Sequence, residues 1–147
     1  ELYITGGYDG VPTGEAFRQD GVILTGYLED VRPRIACSAV CVVPMTVGGG
    51  TRLKILEAMA LGTPVVSTGK GAEGLEVTPD KDIMIADNPR GFAEAVVRVM
   101  DDWELHSRLV ENGRRLVREK YDWEAIGGRL NRFLETVVAK GEVCSTR

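Results

Sequence analysis

The sequence predicts an α/β fold in which a parallel sheet is flanked by helices and followed by a helical C-terminus. In the first half of the chain, short apolar runs alternate with glycine-rich turns. The run Val40-Cys41-Val42-Val43, closed by Pro44, is continuously apolar, which suits a strand buried on both faces of a parallel sheet. In the second half, apolar residues recur at helical spacing. Strands that alternate with helices through short loops imply parallel pairing with right-handed crossovers.

The predicted strands are short apolar runs that end near glycine, proline or a polar residue. They cover residues 2–5, 22–25, 40–43, 64–68 and, more weakly, 83–85. The predicted helices follow apolar spacing, helped by a cap at Asp30 before the first and a stop at Gly62 after the second. They cover residues 30–37, 51–61, a segment that begins after Asn88-Pro89, 104–120 and 123–139. Residues 11–21 are predicted to form a loop.

Two apolar stripes in the helical half predict where the helices pack. On the helix beyond Pro89, one face is predicted to comprise Phe92, Val96, Val99, Met100 and Trp103. On the last helix, the start near Trp123 is expected to pack against the sheet of its own domain. For the stretch from Phe133 to Val138 two interpretations stay open, namely the same packing or an exposed patch that receives a partner.

The composition predicts one globular domain over residues 1–140, followed by a frayed tail over residues 141–147. The chain has 147 residues, of which 44% are hydrophobic and 27% charged. Its net charge of −4 argues against nucleic acid as a partner, since phosphate backbones are bound by clustered basic residues. No apolar run approaches the roughly 20 residues that span a bilayer. Because the sequence opens at Glu1 rather than Met, we expect it to begin inside a larger gene product.

The cysteines and the histidine do not form a metal-binding pattern. Cys37, Cys41 and Cys144 are odd in number and have no C-x-x-C spacing. Cys37 and Cys41 lie among apolar residues and are expected to be small buried side chains in a reducing compartment. The one histidine, His106, lies in a polar helical stretch. We therefore expect no metal site.

The segment from Pro44 to Gly62 is the strongest candidate for a functional site. In parallel sheets, ligands bind outside the carboxyl ends of the strands, and here a strand runs into Gly48-Gly49-Gly50 and then a helix. A glycine loop lets the backbone approach a ligand, and a helix N-terminus suits phosphate. Arg52 and Lys54 add positive charge. Because helical side chains lean toward the N-terminus, Glu57 could accept hydrogen bonds from vicinal hydroxyls such as those of a ribose.

Plainer interpretations of the same segment stay open. Glycine turns before helices are common, Lys54 could be a solvated helix residue, and Glu57 could face solvent. The segment is not a P-loop, because Gly-x-x-x-x-Gly-Lys-Ser/Thr is absent. It is not the dinucleotide fingerprint either, because Gly-x-Gly-x-x-Gly is not matched.

The run Lys54-Ile55-Leu56-Glu57-Ala58-Met59-Ala60-Leu61-Gly62-Thr63-Pro64-Val65-Val66-Ser67-Thr68 resembles the C-terminal domain of retaining glycosyltransferases of the GT-B fold, the group 1 type. Five flanking segments match in the same order: Ile4–Gly7, Val22–Asp30, Val42–Pro44, Gly71–Leu75 and Tyr121–Trp123. The resemblance covers about residues 2–135. It implies a Rossmann-like parallel sheet, which is the C-terminal half of a GT-B fold and here is incomplete at its N-terminus.

The resemblance also implies a donor site for a nucleoside diphosphate sugar. Glu57 takes the position of the family glutamate that binds the ribose hydroxyls. The loop that contacts the donor phosphates and sugar corresponds to Gly49, Gly50, Thr51, Arg52 and Leu53, followed by Lys54. The turn beside the base corresponds to Gly26, Tyr27 and Leu28. Arg52 and Lys54 are the catalytic candidates, because either could neutralise the leaving diphosphate without a metal or other cofactor.

The chain departs from the family pattern at one position. The first glutamate of the family's Glu-x7-Glu motif would fall at position 49, where this chain has Gly49. A subset of relatives with a Gly-Gly-x-Arg-x-Lys-x-x-Glu pattern also lacks it. The departure puts the predicted contact with the donor sugar in doubt. It also makes Arg52 and Lys54 the main candidates for the catalytic role.

The function implied is transfer of a hexose from a nucleoside diphosphate sugar to an acceptor hydroxyl with retention of configuration. The acceptor-binding N-terminal domain of a GT-B enzyme is absent here, so this piece alone is expected to be inactive and to need that domain from the same or another chain. The expected location is cytoplasmic, with membrane contact through the missing half as a further option. The alternatives are a non-catalytic nucleotide-sugar-binding module and, with less support, an epimerase.

Overall fold

The computed structural model describes residues 1–7, 17 and 19–144, with side chains described as far as residue 139. Most of the predicted loop over residues 11–21, and the end of the predicted tail at 145–147, lie outside the described residues. The chain divides into two compact units, Glu1–Arg34 and Ile35–Arg147. The prediction of one domain over residues 1–140 stays a prediction.

The first unit contains a parallel pair of strands. β1 (Leu2–Thr5) pairs with β2 (Val22–Gly26), and Tyr3 lies opposite Ile23 in the register. The Arg34 guanidinium lies 4.2 Å from the centre of the Tyr3 ring, close enough for a cation–π contact. The next helix, α1 (Arg32–Ala36), spans the division between the two units. Both strands therefore lie where the apolar runs predicted them.

The second unit contains a parallel three-stranded sheet in the order β3-β4-β5. The strands are β3 (Cys41–Val43), β4 (Val65–Ser67) and β5 (Met84–Ile85). Its helices are α2 (Leu53–Leu61), α3 (Gly69–Ala72), α4 (Pro89–Asp101), α5 (Trp103–Leu116) and α6 (Trp123–Cys144), with a π-helical turn at Val117–Tyr121 between the last two. Parallel strands connected through helices confirm the α/β class predicted from the sequence.

Buried apolar residues cover both faces of this sheet. Val65 and Val66 are neighbours on β4, so their side chains point to opposite faces. Val65 belongs to one buried cluster, which also contains Val43, Ile55, Ala58, Met59, Ala72, Ile83 and Leu116. Val66 belongs to a second, which also contains Met84, Ala95, Val99, Leu105 and Leu109. The continuous apolar run that ends at Val43 thus has the two-sided environment that its composition predicted.

The structure corrects the predicted packing of three large apolar side chains. Trp123 is 85% exposed, so the prediction that it packs against the sheet is wrong. Met100 and Trp103 are also exposed, whereas Val99 is buried. The reason at Trp103 is a helix boundary: the Asp102 carboxylate accepts a hydrogen bond from the Leu105 N–H and so starts a new helix. Trp103 then lies in the first turn of α5, where its ring stacks on His106.

The last helix keeps an exposed apolar stripe. α6 packs against the π-helical turn that precedes it. Its exposed apolar side chains include Leu130, Phe133, Leu134, Val137 and Val138. Of the two interpretations left open by the sequence, the structure supports the exposed patch. Within the described part of the chain, no helix is long and apolar enough to cross a membrane.

Candidate functional site

The glycine loop and the start of α2 form the candidate site at the carboxyl end of β3. Gly48 and Gly50 have φ angles of 121° and 86°, a left-handed region that glycine enters at little cost. Arg52 precedes the first residue of α2, and none of the described side chains caps this end of the helix. The Ile55 N–H donates to the Arg52 carbonyl at 3.0 Å, whereas the N–H groups of Leu53 and Lys54 have no partner within the helix and add to the positive end of its dipole. This backbone arrangement suits an anion.

Lys54 and Glu57 lie on α2 with their charges unpaired. Among the residues that the structure describes, neither side chain makes a hydrogen bond or an ion pair. Lys54 is exposed and Glu57 is half-buried. Both charges reach the thiol of Cys41 at the start of β3: burial raises the pKa of this thiol most, Lys54 lowers it and Glu57 raises it. The two residues are three positions apart on α2 and therefore lie on the same face of the helix.

Arg52 has a different environment. Its side chain is only 4% exposed. Its Nη1 donates to the Gly49 carbonyl at 2.9 Å, and its Nη2 donates to the carbonyls of Gly48 at 3.2 Å and Lys70 at 3.0 Å. Its Nε is buried and has no hydrogen-bond partner among the described residues. The predicted contact between Arg52 and the donor phosphates stays a prediction.

Three polar residues at the same edge of the sheet were missed by the sequence analysis. Thr68 donates from Oγ1 to the Met45 carbonyl, and the same oxygen accepts from the Gly71 N–H at 2.9 Å. Asp87 accepts from the Gly69 N–H at 2.7 Å, and Lys70 pairs with Glu73 at 2.6 Å. The available signal was their position directly after predicted strands, where parallel sheets place functional loops.

Gly26, Tyr27 and Leu28 lie at the end of β2, and the Tyr27 side chain is exposed. They belong to the first unit, whereas α2 belongs to the second. Their predicted approach to the base therefore stays a prediction. The same holds for the expectation that no metal is needed.

Cys37 and Cys41 should react at different rates with an alkylating agent. The prediction that both are buried is wrong for Cys37, which is exposed just beyond the short helix α1, whereas Cys41 is half-buried in a strand. Because burial raises the pKa of Cys41, its thiolate should become abundant only at a pH above the ordinary range for a thiol. We expect iodoacetamide at neutral pH to modify Cys37 at least tenfold faster, as measured by peptide mass spectrometry. Equal rates would contradict this environment for Cys41.

The fold and the loop–helix site define a Rossmann-like parallel α/β domain. A family model described as "Glycosyl transferases group 1" matches residues 1–102. The chain belongs to this family. Its structure resembles that of the C-terminal domain of a glycosyl transferase group 1 family protein, LpcC, from Francisella tularensis. The TM-score is 0.65 at 23% identity over 74% of this chain and 60% of the other, which supports the same fold.

Curated relatives agree with the family assignment. The chain is 33% identical over 115 residues to the uncharacterized glycosyltransferase MJ1607 of Methanocaldococcus jannaschii, covering 71% of this chain and 28% of that protein. It is 29% identical over 119 residues to the MMP alpha-(1->4)-mannosyltransferase of Mycolicibacterium hassiacum, covering 79% of this chain and 29% of that protein. The chain thus spans less than a third of the length of these relatives.

Proposed function

We propose that this chain is the donor-binding domain of a retaining glycosyltransferase that moves a hexose from a nucleoside diphosphate sugar to an acceptor hydroxyl. The observation that carries the proposal is the combination on α2 of an uncapped N-terminus behind a glycine loop and, one turn on, the unpaired carboxylate of Glu57. These two features suit the two ends of a ribose diphosphate. A mannosyltransferase among the relatives is in keeping with a hexose donor.

The diphosphate would lie at the backbone of Gly49, Gly50 and Thr51, where unpaired N–H groups and the helix dipole favour negative charge. Lys54 is exposed within the first turn of α2 and brings an ammonium without a competing ion pair. Its positive charge would stabilise the negative charge that builds up on the leaving diphosphate, so this step would need no metal ion. Leu53 is 66% exposed at the same helix end and offers an apolar contact.

Glu57 would accept hydrogen bonds from the 2′ and 3′ hydroxyls of the ribose. Hydrogen bonds to a charged acceptor contribute roughly 1.5–3 kcal/mol each, so the loss of one weakens binding by about tenfold or more. The carboxylate is half-buried, which strengthens the bond relative to full exposure.

Removing the Glu57 carboxylate should abolish selective binding of a ribose nucleotide. We expect one of UDP, GDP and ADP to bind the chain weakly in ligand-observed NMR, and Glu57→Ala to lower that affinity at least tenfold. The 2′-deoxy form of the same nucleotide should bind more weakly than the ribose form to the natural chain but equally to the variant. This last comparison isolates the bond between Glu57 and the sugar hydroxyl.

The control is Glu94→Ala, which removes an exposed carboxylate on α4, a helix that packs against β4 and β5. It should leave nucleotide binding unchanged. If a folded Glu57→Ala variant binds each nucleotide as the natural chain does, Glu57 does not hold the ribose. If none of the three binds to the full-length parent protein, the donor-site proposal fails.

A non-catalytic nucleotide-sugar-binding module is the second candidate, and Gly49 is the residue that favours it. A glycine there leaves no side chain where the family motif has a carboxylate, although no atom lies within 4 Å of the space that a Cβ would occupy. The parent enzyme would also need an N-terminal acceptor domain, from the same or another chain. Release of nucleoside diphosphate from a nucleotide sugar by the full-length parent would support the enzyme, and binding without release would support the module.

A further inference from the structure

The side chain of Arg52 connects two loops that are far apart in the sequence. Its two terminal nitrogens reach the carbonyls of Gly48 and Gly49 in the loop after β3, and of Lys70 in the segment after β4. A guanidinium suits this task, because its planar fork presents several N–H groups in fixed directions. The burial of the group supports a structural role, since both of its terminal nitrogens are bonded to carbonyls and only Nε has no partner among the described residues.

Few of the described side chains pack against the glycine loop. At Gly49 and Gly50, a Cβ would meet no described atom within 4 Å, whereas at Gly48 it would lie 3.0 Å from the Met45 Cε. Fixing the backbone of a residue costs about 1–2 kcal/mol of conformational entropy, and glycine pays the most. The contacts from Arg52 to Gly48 and Gly49 offset part of this cost before any ligand binds.

The contacts continue across the edge of the sheet. Arg52 joins the glycine loop to Lys70, and the neighbouring Gly69 N–H is joined to the Asp87 carboxylate beyond β5 at 2.7 Å. Glu73 lies 3.6 Å from the Arg52 Nη2 and 2.6 Å from the Lys70 Nζ, so it offsets part of the positive charge of both groups. Arg52 thus connects the glycine loop to the segment after β4.

We propose that Arg52 is a positioning residue, which holds the Gly48–Gly50 loop in its ligand-binding conformation and acts on the donor through that loop. The inference rests on the proposed function for the identity of the ligand, but not for the state of the loop in the free chain. It assigns the charge contact with the diphosphate to Lys54, whose ammonium is exposed. Lysine at position 52 should not replace arginine, because one ammonium cannot bond carbonyls of both segments in the same geometry.

The test compares the natural chain with an Arg52→Lys variant, both without ligand, by the chemical shifts and the hydrogen-exchange rates of their amides in NMR. In Arg52→Lys, we expect the amides of Gly48–Thr51 and Lys70–Ala72 to shift, and those that are protected in the natural chain to exchange at least tenfold faster. Arg90→Lys is the matched control, because Arg90 is an exposed arginine paired with Glu94 on α4. The control should leave both groups of amides unchanged. The affinity for whichever of UDP, GDP and ADP binds the natural chain should fall about tenfold in Arg52→Lys, although the positive charge at position 52 is kept.

Two results would overturn the proposal. One is a folded Arg52→Lys variant with natural loop amides, whatever its nucleotide affinity, since Arg52 would then not set the loop. The other comes from the natural chain, so it does not depend on a variant that folds: in a crystal structure with UDP, GDP or ADP bound, the Arg52 guanidinium should keep its hydrogen bonds to the carbonyls of Gly48, Gly49 and Lys70. A guanidinium that has left these carbonyls for a phosphate would make Arg52 a direct ligand. A failure of nucleotide binding alone would count against the donor site and leave the loop result intact.

Discussion

The substitution Gly71→Ala is expected to lower the free energy of unfolding by about 2–3 kcal/mol, a typical cost of overpacking a close contact. A Cβ at this position would overlap the Ser67 Oγ and would lie 2.9 Å from the Val43 carbonyl oxygen and 3.0 Å from the Thr68 Oγ1. The Val43 oxygen is a backbone atom at the end of β3, where the sheet holds the chain, and the Ser67 and Thr68 hydroxyls are held by hydrogen bonds to the carbonyls of Val43, Thr68 and Met45. The strands or α3 must therefore move apart.

The control is Gly127→Ala, at a helical position of α6 where a Cβ would meet no atom within 4 Å. Alanine is favoured over glycine inside a helix by about 1 kcal/mol, so this variant should be equal to or more stable than the natural chain. Urea unfolding followed by far-ultraviolet circular dichroism measures both. A Gly71→Ala variant as stable as the natural chain would show that the ends of β3 and β4 are not as closely packed as described.

The fold could be predicted from the sequence wherever local chemistry and tertiary environment agree. The apolar run before Pro44 contacts a buried cluster on each face of the sheet, Val43 and Cys41 on one side and Val40 on the other, as its lack of polar alternation indicates. The helix predicted to stop at Gly62 ends at Leu61. The glycine loop and the carboxylate of Glu57 were also placed correctly on the elements that carry them. In each case the local pattern and the tertiary environment favour the same structure.

The environment of Arg52 could not be predicted in this way. A charged residue beside a glycine loop suggests a solvated or ligand-binding side chain, because charged residues are rarely buried. One of the carbonyls that allow its burial belongs to Lys70, 18 residues further along the chain. Trp123 shows the opposite error: its apolar side chain suggests burial, but the part of the chain that the structure describes does not cover it. Both outcomes depend on long-range neighbours that local spacing does not encode.

Ile55 and Leu53 are two residues apart on α2, and their replacement by alanine should separate stability from binding. Ile55 is 0% exposed in the buried cluster around Val65, whereas Leu53 is 66% exposed at the end of the helix that carries the candidate site. Removing a buried isoleucine side chain commonly costs about 2–5 kcal/mol, because lost burial is combined with a cavity. Ile55→Ala should therefore unfold at a much lower urea concentration than the natural chain.

Leu53→Ala is the matched variant, since it removes a side chain of the same size from the same helix. Its free energy of unfolding should stay within about 0.5 kcal/mol of the natural value, because the substitution of an exposed residue usually changes stability by no more than this. If the donor lies at the start of α2, the loss of this apolar contact should weaken nucleotide binding about two- to fivefold. The reverse pattern would remove Leu53 from the site: a destabilised Leu53→Ala chain with natural affinity would mean that Leu53 supports the fold. The helix would then present no apolar contact to a ligand, and only the loop backbone, Lys54 and Glu57 could define the site.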